Sequence, residues 1–136
     1  MRMAGHVVVV EDAPAIAEVL GQFLGLAGYH VDTAADGALA LETIATTTPD
    51  AVVTDVIMPN LSGTDLVRRM RASPRLARVP VVLFTGLPAD NDDITATLAL
   101  PLVRLVQKGR PFRLVVTAIE ELRREAAASP LQTSRS

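Results

Sequence analysis

Asp55 closes an apolar run, Ala51 to Thr54, and is followed by Val56, Ile57, Met58 and Pro59. The run holds two adjacent valines, is too short for a stable helix and is stopped by Pro59. It therefore reads as a strand buried on both faces, with Asp55 at its carboxyl end. In an open parallel sheet that end faces a crevice where ligands bind. Taken alone, Asp55 could as well be a solvated residue beginning a loop. Glu11 and Asp12 shift the balance, because they follow four consecutive valines, Val7 to Val10, at the end of a second strand. Thr85 and Lys108 stand at the ends of two further strand-like segments, Pro80 to Thr85 and Leu102 to Gln107.

On one sheet edge these residues would form a reactive set. Three carboxylates sharing a crevice repel one another unless a cation sits among them. Oxygen donors with no His or Cys nearby suit Mg2+, which keeps several waters and typically shares its sphere with a phosphate. A metal, an ammonium and a hydroxyl around one carboxylate equip it for phosphoryl transfer: the cations neutralise the equatorial oxygens while the carboxylate attacks in line. Lys108 is the only lysine among 13 basic residues. Where a surface positive charge is merely convenient this chain uses Arg, so a lone Lys at a strand end suggests that a compact point charge is required. A threonine at a strand end is ordinary, and Thr85 gains weight only beside Asp55.

The elements that must position this set follow from the rest of the chain. Pro14 suits a first helical turn, and Ile16, Val19, Leu20, Phe23 and Leu24 recur at helical spacing as one apolar face, ended by Gly28. Tyr29 to Ala34 reads as a strand. Asp36-Gly37 then opens a helix that buries Leu39, Ala40 and Ile44, broken by Thr46 to Thr48 and Pro49. Asn60 to Gly63 is turn chemistry, and Ser62 is placed to cap a helix that buries Leu66, Val67 and Met70. Arg68, Arg69 and Arg71 read as that helix's solvated face. Asp90 to Leu100 is a weaker helix, favoured at its start by Asp90, Asp92 and Asp93 but built on indifferent formers, and is expected to be the most mobile; Pro101 closes it. Phe112 to Ala127 is the last helix, burying Val115, Ala118, Ile119 and Leu122. Five strands alternating with five helices, each connection long enough for a crossover, predict an α/β fold with a doubly wound parallel sheet. Residues 1–128 would form one domain, and the polar stretch 129–136 a frayed tail.

The 136 residues suit a single core, and with 49% of them apolar and 3% aromatic the composition is that of a compact α/β domain. A net charge of −2 leaves no electrostatic footprint for nucleic acid. No apolar run reaches the length that spans a bilayer, and Met1 to Gly5 lacks the apolar segment of a signal peptide. The absence of cysteine excludes disulfides and a thiol nucleophile and fits a cytoplasmic location. No glycine-rich fingerprint follows the first strand, which argues against dinucleotide binding.

The ordered set of Glu11-Asp12, Asp55 to Pro59 with Gly63, Thr85-Gly86 and Lys108 resembles the receiver domain of two-component response regulators, over residues 6 to about 126. The resemblance implies a flavodoxin-like sheet of strand order 2-1-3-4-5. It implies that Asp55 is the phosphoacceptor, taking a phosphoryl group from a sensor histidine kinase. Glu11 and Asp12, with Asp55 and the backbone carbonyl of Ile57, would hold Mg2+. Thr85 would be the switch hydroxyl and Lys108 the ion-pairing partner of the phosphoryl group. A stand-alone receiver of this kind would work as a phosphoacceptor that assists its own chemistry, not as a turnover enzyme. Its partners would be the kinase, a histidine phosphotransfer protein in some relays, and an unidentified protein target; neither that target nor the oligomeric state is fixed by the sequence.

Three departures from the family pattern stand out. Family members usually place Pro directly after the lysine, in a cis peptide. Here the order is Lys108-Gly109-Arg110-Pro111, so either two residues are inserted or Arg110 takes the lysine's place, and the Arg110–Pro111 bond is open to either isomer. Leu105 stands where an aromatic switch residue is usual. Gly86 follows Thr85 where Ala is common, which should loosen that loop. Two other readings compete: a receiver-like binding module that works without phosphate, and a Mg2+-dependent phosphohydrolase. The latter commonly needs an acid two residues after its nucleophile, where this chain has Ile57.

Overall fold

The computed structural model of the chain describes residues 4–128. Its elements alternate throughout: β1 (Gly5–Val10), α1 (Pro14–Leu26), β2 (Tyr29–Ala34), α2 (Gly37–Thr47), β3 (Ala51–Thr54), α3 (Gly63–Ala72), β4 (Val81–Thr85), α4 (Asp92–Leu98), β5 (Val103–Gln107) and α5 (Arg113–Ala128). All five strands are parallel, in the order β2-β1-β3-β4-β5. This is the doubly wound α/β sheet expected from the sequence.

The valine-rich strands are central because they can be buried on both sides. Val7 and Val9 pack with Leu20, Leu24, Ile119 and Leu122 of α1 and α5. Val8 and Val10 point the other way, into a core with Ala40, Ile44, Leu66 and Met70 of α2 and α3. Two cores thus sandwich one sheet, and the polar strand ends are left as its rim. The helix starts are fixed by side chains that satisfy otherwise orphaned N–H groups. Asp36 accepts from Leu39 N at 2.8 Å, Ser62 from Asp65 N at 3.1 Å, and Asn91 from Asp93 N and Ile94 N at 3.0 and 3.1 Å. The α5 face expected from the sequence, Val115, Ala118, Ile119 and Leu122, is buried.

Some expectations need correction. Val19 and Leu39 are 49% and 51% exposed, because the buried stripe of α1 passes through Ala17 instead of Val19, and α2 turns Ala40 and Ile44, with Leu41 beside them, toward the core instead of Leu39. Arg71 does not belong to a solvated face. Its guanidinium is half-buried and donates to four carbonyls: Pro101 O at 2.8 Å, Leu76 O at 3.2 Å, Val79 O at 2.7 Å and Leu102 O at 3.2 Å. Arg68 is paired too, with Asp65 on its own helix and Asp93 on α4. No cis peptide occurs among the described residues, so Arg110–Pro111 is trans. The stretch expected as a polar tail, 129–136, lies outside the described residues. Among those described, no helix is long and apolar enough to cross a membrane.

Candidate functional site

Backbone ladders carry the site residues one step past the ends of their strands. Asp55 N donates to Val10 O at 3.0 Å, Glu11 N to Ala34 O at 3.0 Å, and Lys108 N to Thr85 O at 2.8 Å. The β1–β3 pairing therefore sets Asp55 next to Glu11, while β5 brings Lys108 in along β4. Asp55 is only 8% exposed. One of its oxygens, Oδ1, accepts from Val56 N at 2.6 Å; the other, Oδ2, lies 2.7 Å from Lys108 Nζ. The same ammonium is 2.9 Å from Glu11 Oε1. Lys108, not Arg110, fills this place: Arg110 sits on the exposed turn beyond it. The two extra residues before Pro111 are absorbed by that turn, where Gly109 has φ +96°.

Burial pulls the Lys108 pKa down, but the hydrogen bond to Asp55, the close approach of Glu11 and the charges of both carboxylates outweigh it, so the ammonium titrates above its ordinary range. Its Nζ also stands 5.9 Å from the Phe84 ring centroid, at the outer limit of a cation–π contact. Phe84 was given no part by the sequence; Phe112 braces it edge-on, with ring centroids 5.8 Å apart.

Ligand oxygens of Glu11, Asp12 and Asp55 lie within 4.8 Å of one another. Three carboxylates against one ammonium leave a formal charge of −2. Glu11 Oε1 is buried, and although Lys108 Nζ is near enough for an ion pair, no donor is aligned on it for a hydrogen bond. A buried carboxylate oxygen in that condition is costly unless a cation completes its surroundings. The hard donor set and the charge deficit both fit a divalent ion such as Mg2+. Ile57 follows two residues after Asp55 with its side chain 64% exposed.

Thr85 ends β4 on the same edge, buried, with its hydroxyl accepting from Leu87 N at 3.3 Å. That bond is at the long end of the range, so the hydroxyl is weakly held. Sequence reasoning also overlooked Thr54, whose buried hydroxyl donates to Asp55 O at 2.8 Å, and gave Gly63 no mechanism. A Cβ on Gly63 would lie 1.9 Å from Asp55 O, so only glycine lets α3 begin so close to the reactive segment. An apolar run followed by a small residue at the next helix start was the available signal.

Residues 7–120 match the family model for the response regulator receiver domain. The chain belongs to that family. Among curated relatives it is 32% identical over 135 residues to the response regulator PleD of Caulobacter vibrioides, covering 93% of this chain and 30% of PleD. It is 37% identical over 94 residues to the probable transcriptional regulatory protein TcrX of Mycobacterium tuberculosis, covering 68% of this chain and 39% of TcrX. The chain thus spans well under half the length of these relatives, and the receiver is the shared part. A solved receiver domain of a signal transduction histidine kinase from Syntrophus aciditrophicus superposes with a TM-score of 0.80 at 30% identity, over 90% of this chain and 92% of that one. The receiver domain of a sensor histidine kinase from Pseudomonas aeruginosa PAO1 gives 0.78 at 25% identity, over 88% and 97%, and that structure has a magnesium ion coordinated in its active-site cleft.

Proposed function

We propose that this receiver accepts a phosphoryl group on Asp55 from a phosphohistidine of a sensor kinase, in the cytoplasm, and thereby switches protein–protein contacts. The observation that carries the reading is the buried Asp55 carboxylate held at 2.7 Å by Lys108 beside two further acids. With Oδ1 engaged by the Val56 amide, Oδ2 is the oxygen left to attack phosphorus. The phosphorus–nitrogen bond breaks as the new phosphorus–oxygen bond forms, and the electron pair stays on the released nitrogen; the other ring nitrogen keeps its proton, so the histidine leaves as neutral imidazole. Glu11, Asp12, Asp55 and the Ile57 carbonyl would hold Mg2+. That ion supplies Lewis-acid neutralisation of the phosphoryl oxygens when bound. Lys108 moves from the carboxylate to a phosphoryl oxygen, and the Thr85 hydroxyl leaves its long bond to Leu87 N for another.

Because Leu87 follows Thr85 into the connection to α4, and Gln107 Nε2 holds Leu87 O at 2.9 Å, that movement reaches both α4 and β5. Arg104 lies on β5 on the side of α5 and, with Leu114 and Glu121 of that helix, lines a groove suited to a protein target. In this reading the protein is a phosphoacceptor that assists its own modification, not an enzyme with turnover.

Incubation with Mg2+ and a small phosphodonor should add the mass of one phosphoryl group to the wild type and nothing to Asp55→Asn. An unmodified wild type, under conditions that label a control receiver, would refute the proposal. The phosphate-independent module draws on the altered lysine loop and on Leu105 in place of an aromatic; Lys108 reaching Asp55 weighs against the first ground only, and Asp55→Ala leaving target binding unchanged would favour the module. The exposed Ile57 offers no acid for a phosphohydrolase.

A further inference from the structure

The chain has two histidines, and both lie at the rim opposite Asp55. His6 is on β1 and His30 is its register partner on β2, while Asp32 stands two residues further along β2, on the same face as His30. At ~3.3 Å per residue, His6 is roughly 16 Å from Glu11 along β1, so this is not the acidic site. His6 Nε2 lies 2.7 Å from Asp32 Oδ2, and His30 Nε2 aims at the same oxygen from 3.6 Å. The imidazole centroids are 5.1 Å apart. One ring can donate to that oxygen; the second stands beyond hydrogen-bond reach of it.

Three ligand atoms, all within 4.8 Å of one another, therefore converge from two adjacent strands. Two imidazoles and one carboxylate are borderline donors that favour late first-row divalent ions over Mg2+. Zinc takes His nitrogens at about 2.0–2.1 Å and carboxylate oxygens at about 2.0–2.2 Å, which sets tetrahedral donor–donor separations near 3.3 Å. Reaching them needs the His6–Asp32 gap to open, and the His30–Asp32 gap to close, by a few tenths of an ångström. The His30 side chain is 58% exposed, which gives an ion a path in.

We propose that His6 Nε2, His30 Nε2 and an Asp32 carboxylate oxygen form a zinc site, with water in the fourth position, that pins the edge strand β2 to β1. The site would stabilise the one strand pair that lacks a further neighbour on the β2 side. It is independent of the phosphoryl chemistry and stands whether or not Asp55 is modified.

The full chain, titrated with zinc chloride alone and followed by the ring nitrogen resonances of 15N-labelled histidine, tests the assignment. Both imidazoles should shift together and saturate at one equivalent. His30→Gln, at an exposed position, should fold normally and bind roughly tenfold or more weakly, as should Asp32→Asn. Asp55→Asn should bind zinc at the histidines as the wild type does. Zinc bound equally well by His30→Gln, saturation that leaves the ring resonances unmoved because the metal sits on the acidic residues, or no binding up to millimolar zinc would each overturn the site.

Discussion

Removing the ammonium of Lys108 would leave the Asp55 and Glu11 carboxylates facing each other with little water between them. Lys108→Met is therefore expected to lower stability at neutral pH by about 2–5 kcal/mol, the usual cost of stripping one partner from a buried charge pair. Denaturant titration should show that Mg2+ restores much of that loss, since a divalent ion supplies the missing positive charge. The wild type carries a matching pH dependence. A lysine whose folded pKa is raised contributes its full stabilisation below the unfolded value, near 10.4, and loses it as pH rises through the folded value. The alkaline limb of the stability curve should accordingly flatten in Lys108→Met.

Glycines give a second prediction at this scale. Gly63→Ala forces a methyl against Asp55 O and should cost about 2 kcal/mol or more, whereas Gly86→Ala meets no heavy atom within 4 Å and should change stability by less than about 0.5 kcal/mol. Thermal or chemical denaturation of the two variants side by side checks both. At this scale the charged residues were legible, because strand ends in a parallel sheet share an edge. Thr54 and Phe84 were not, since a hydroxyl beneath a carbonyl and a ring beneath an ammonium leave no mark on local periodicity.

Among the elements, α3 does more than bury an apolar stripe. Its Arg71 gathers carbonyls from the connection after α3 and from the turn that enters β5, so one side chain fastens two loops. Burial, with some repulsion from Arg78, brings its pKa down to about 10, which still leaves it cationic at neutral pH. Arg71→Met keeps the stem and discards the donors, and a loss of about 2–4 kcal/mol is expected in denaturant unfolding. The sequence placed Arg71 with Arg68 and Arg69 because helical periodicity records which side of a helix is apolar. It cannot record that loops elsewhere offer carbonyls to a long side chain.

The helix α4 shows the same limit from the other side. Its composition argues for weakness, and its buried anchors are Ile94 and Thr97. Yet Asp93 ties it to α3, accepting from the Thr64 hydroxyl and from Arg68. The Thr64 hydrogen bond, then that of Arg68, holds the Asp93 carboxyl below its usual range. A depressed carboxylate contributes its stabilisation above the unfolded pKa and loses it as pH falls through the folded one. Asp93→Ala should change global stability by less than about 1 kcal/mol, because the pair is half exposed. It should nevertheless speed hydrogen exchange of the α4 amides at neutral pH, the place where loosening would be felt.

For the molecule as a whole, hydrophobic pattern and element order were enough to reach the sheet, because βαβ units admit few arrangements. The choice between Lys108 and Arg110 needed coordinates, since it turns on how a surface loop takes up two extra residues. Strand order carries one more consequence. The reactive carboxylate arrives with the third strand and its counter-charge only with the fifth, more than fifty residues later. A ribosome-bound chain that has not yet released β5 holds the acids without the ammonium, and should be mute toward a phosphodonor. A version truncated before Val103 is expected to take no label in an intact-mass assay, whereas the full chain does. Modification would then report that the fifth strand has docked, and copies still lacking it would stay silent in the relay.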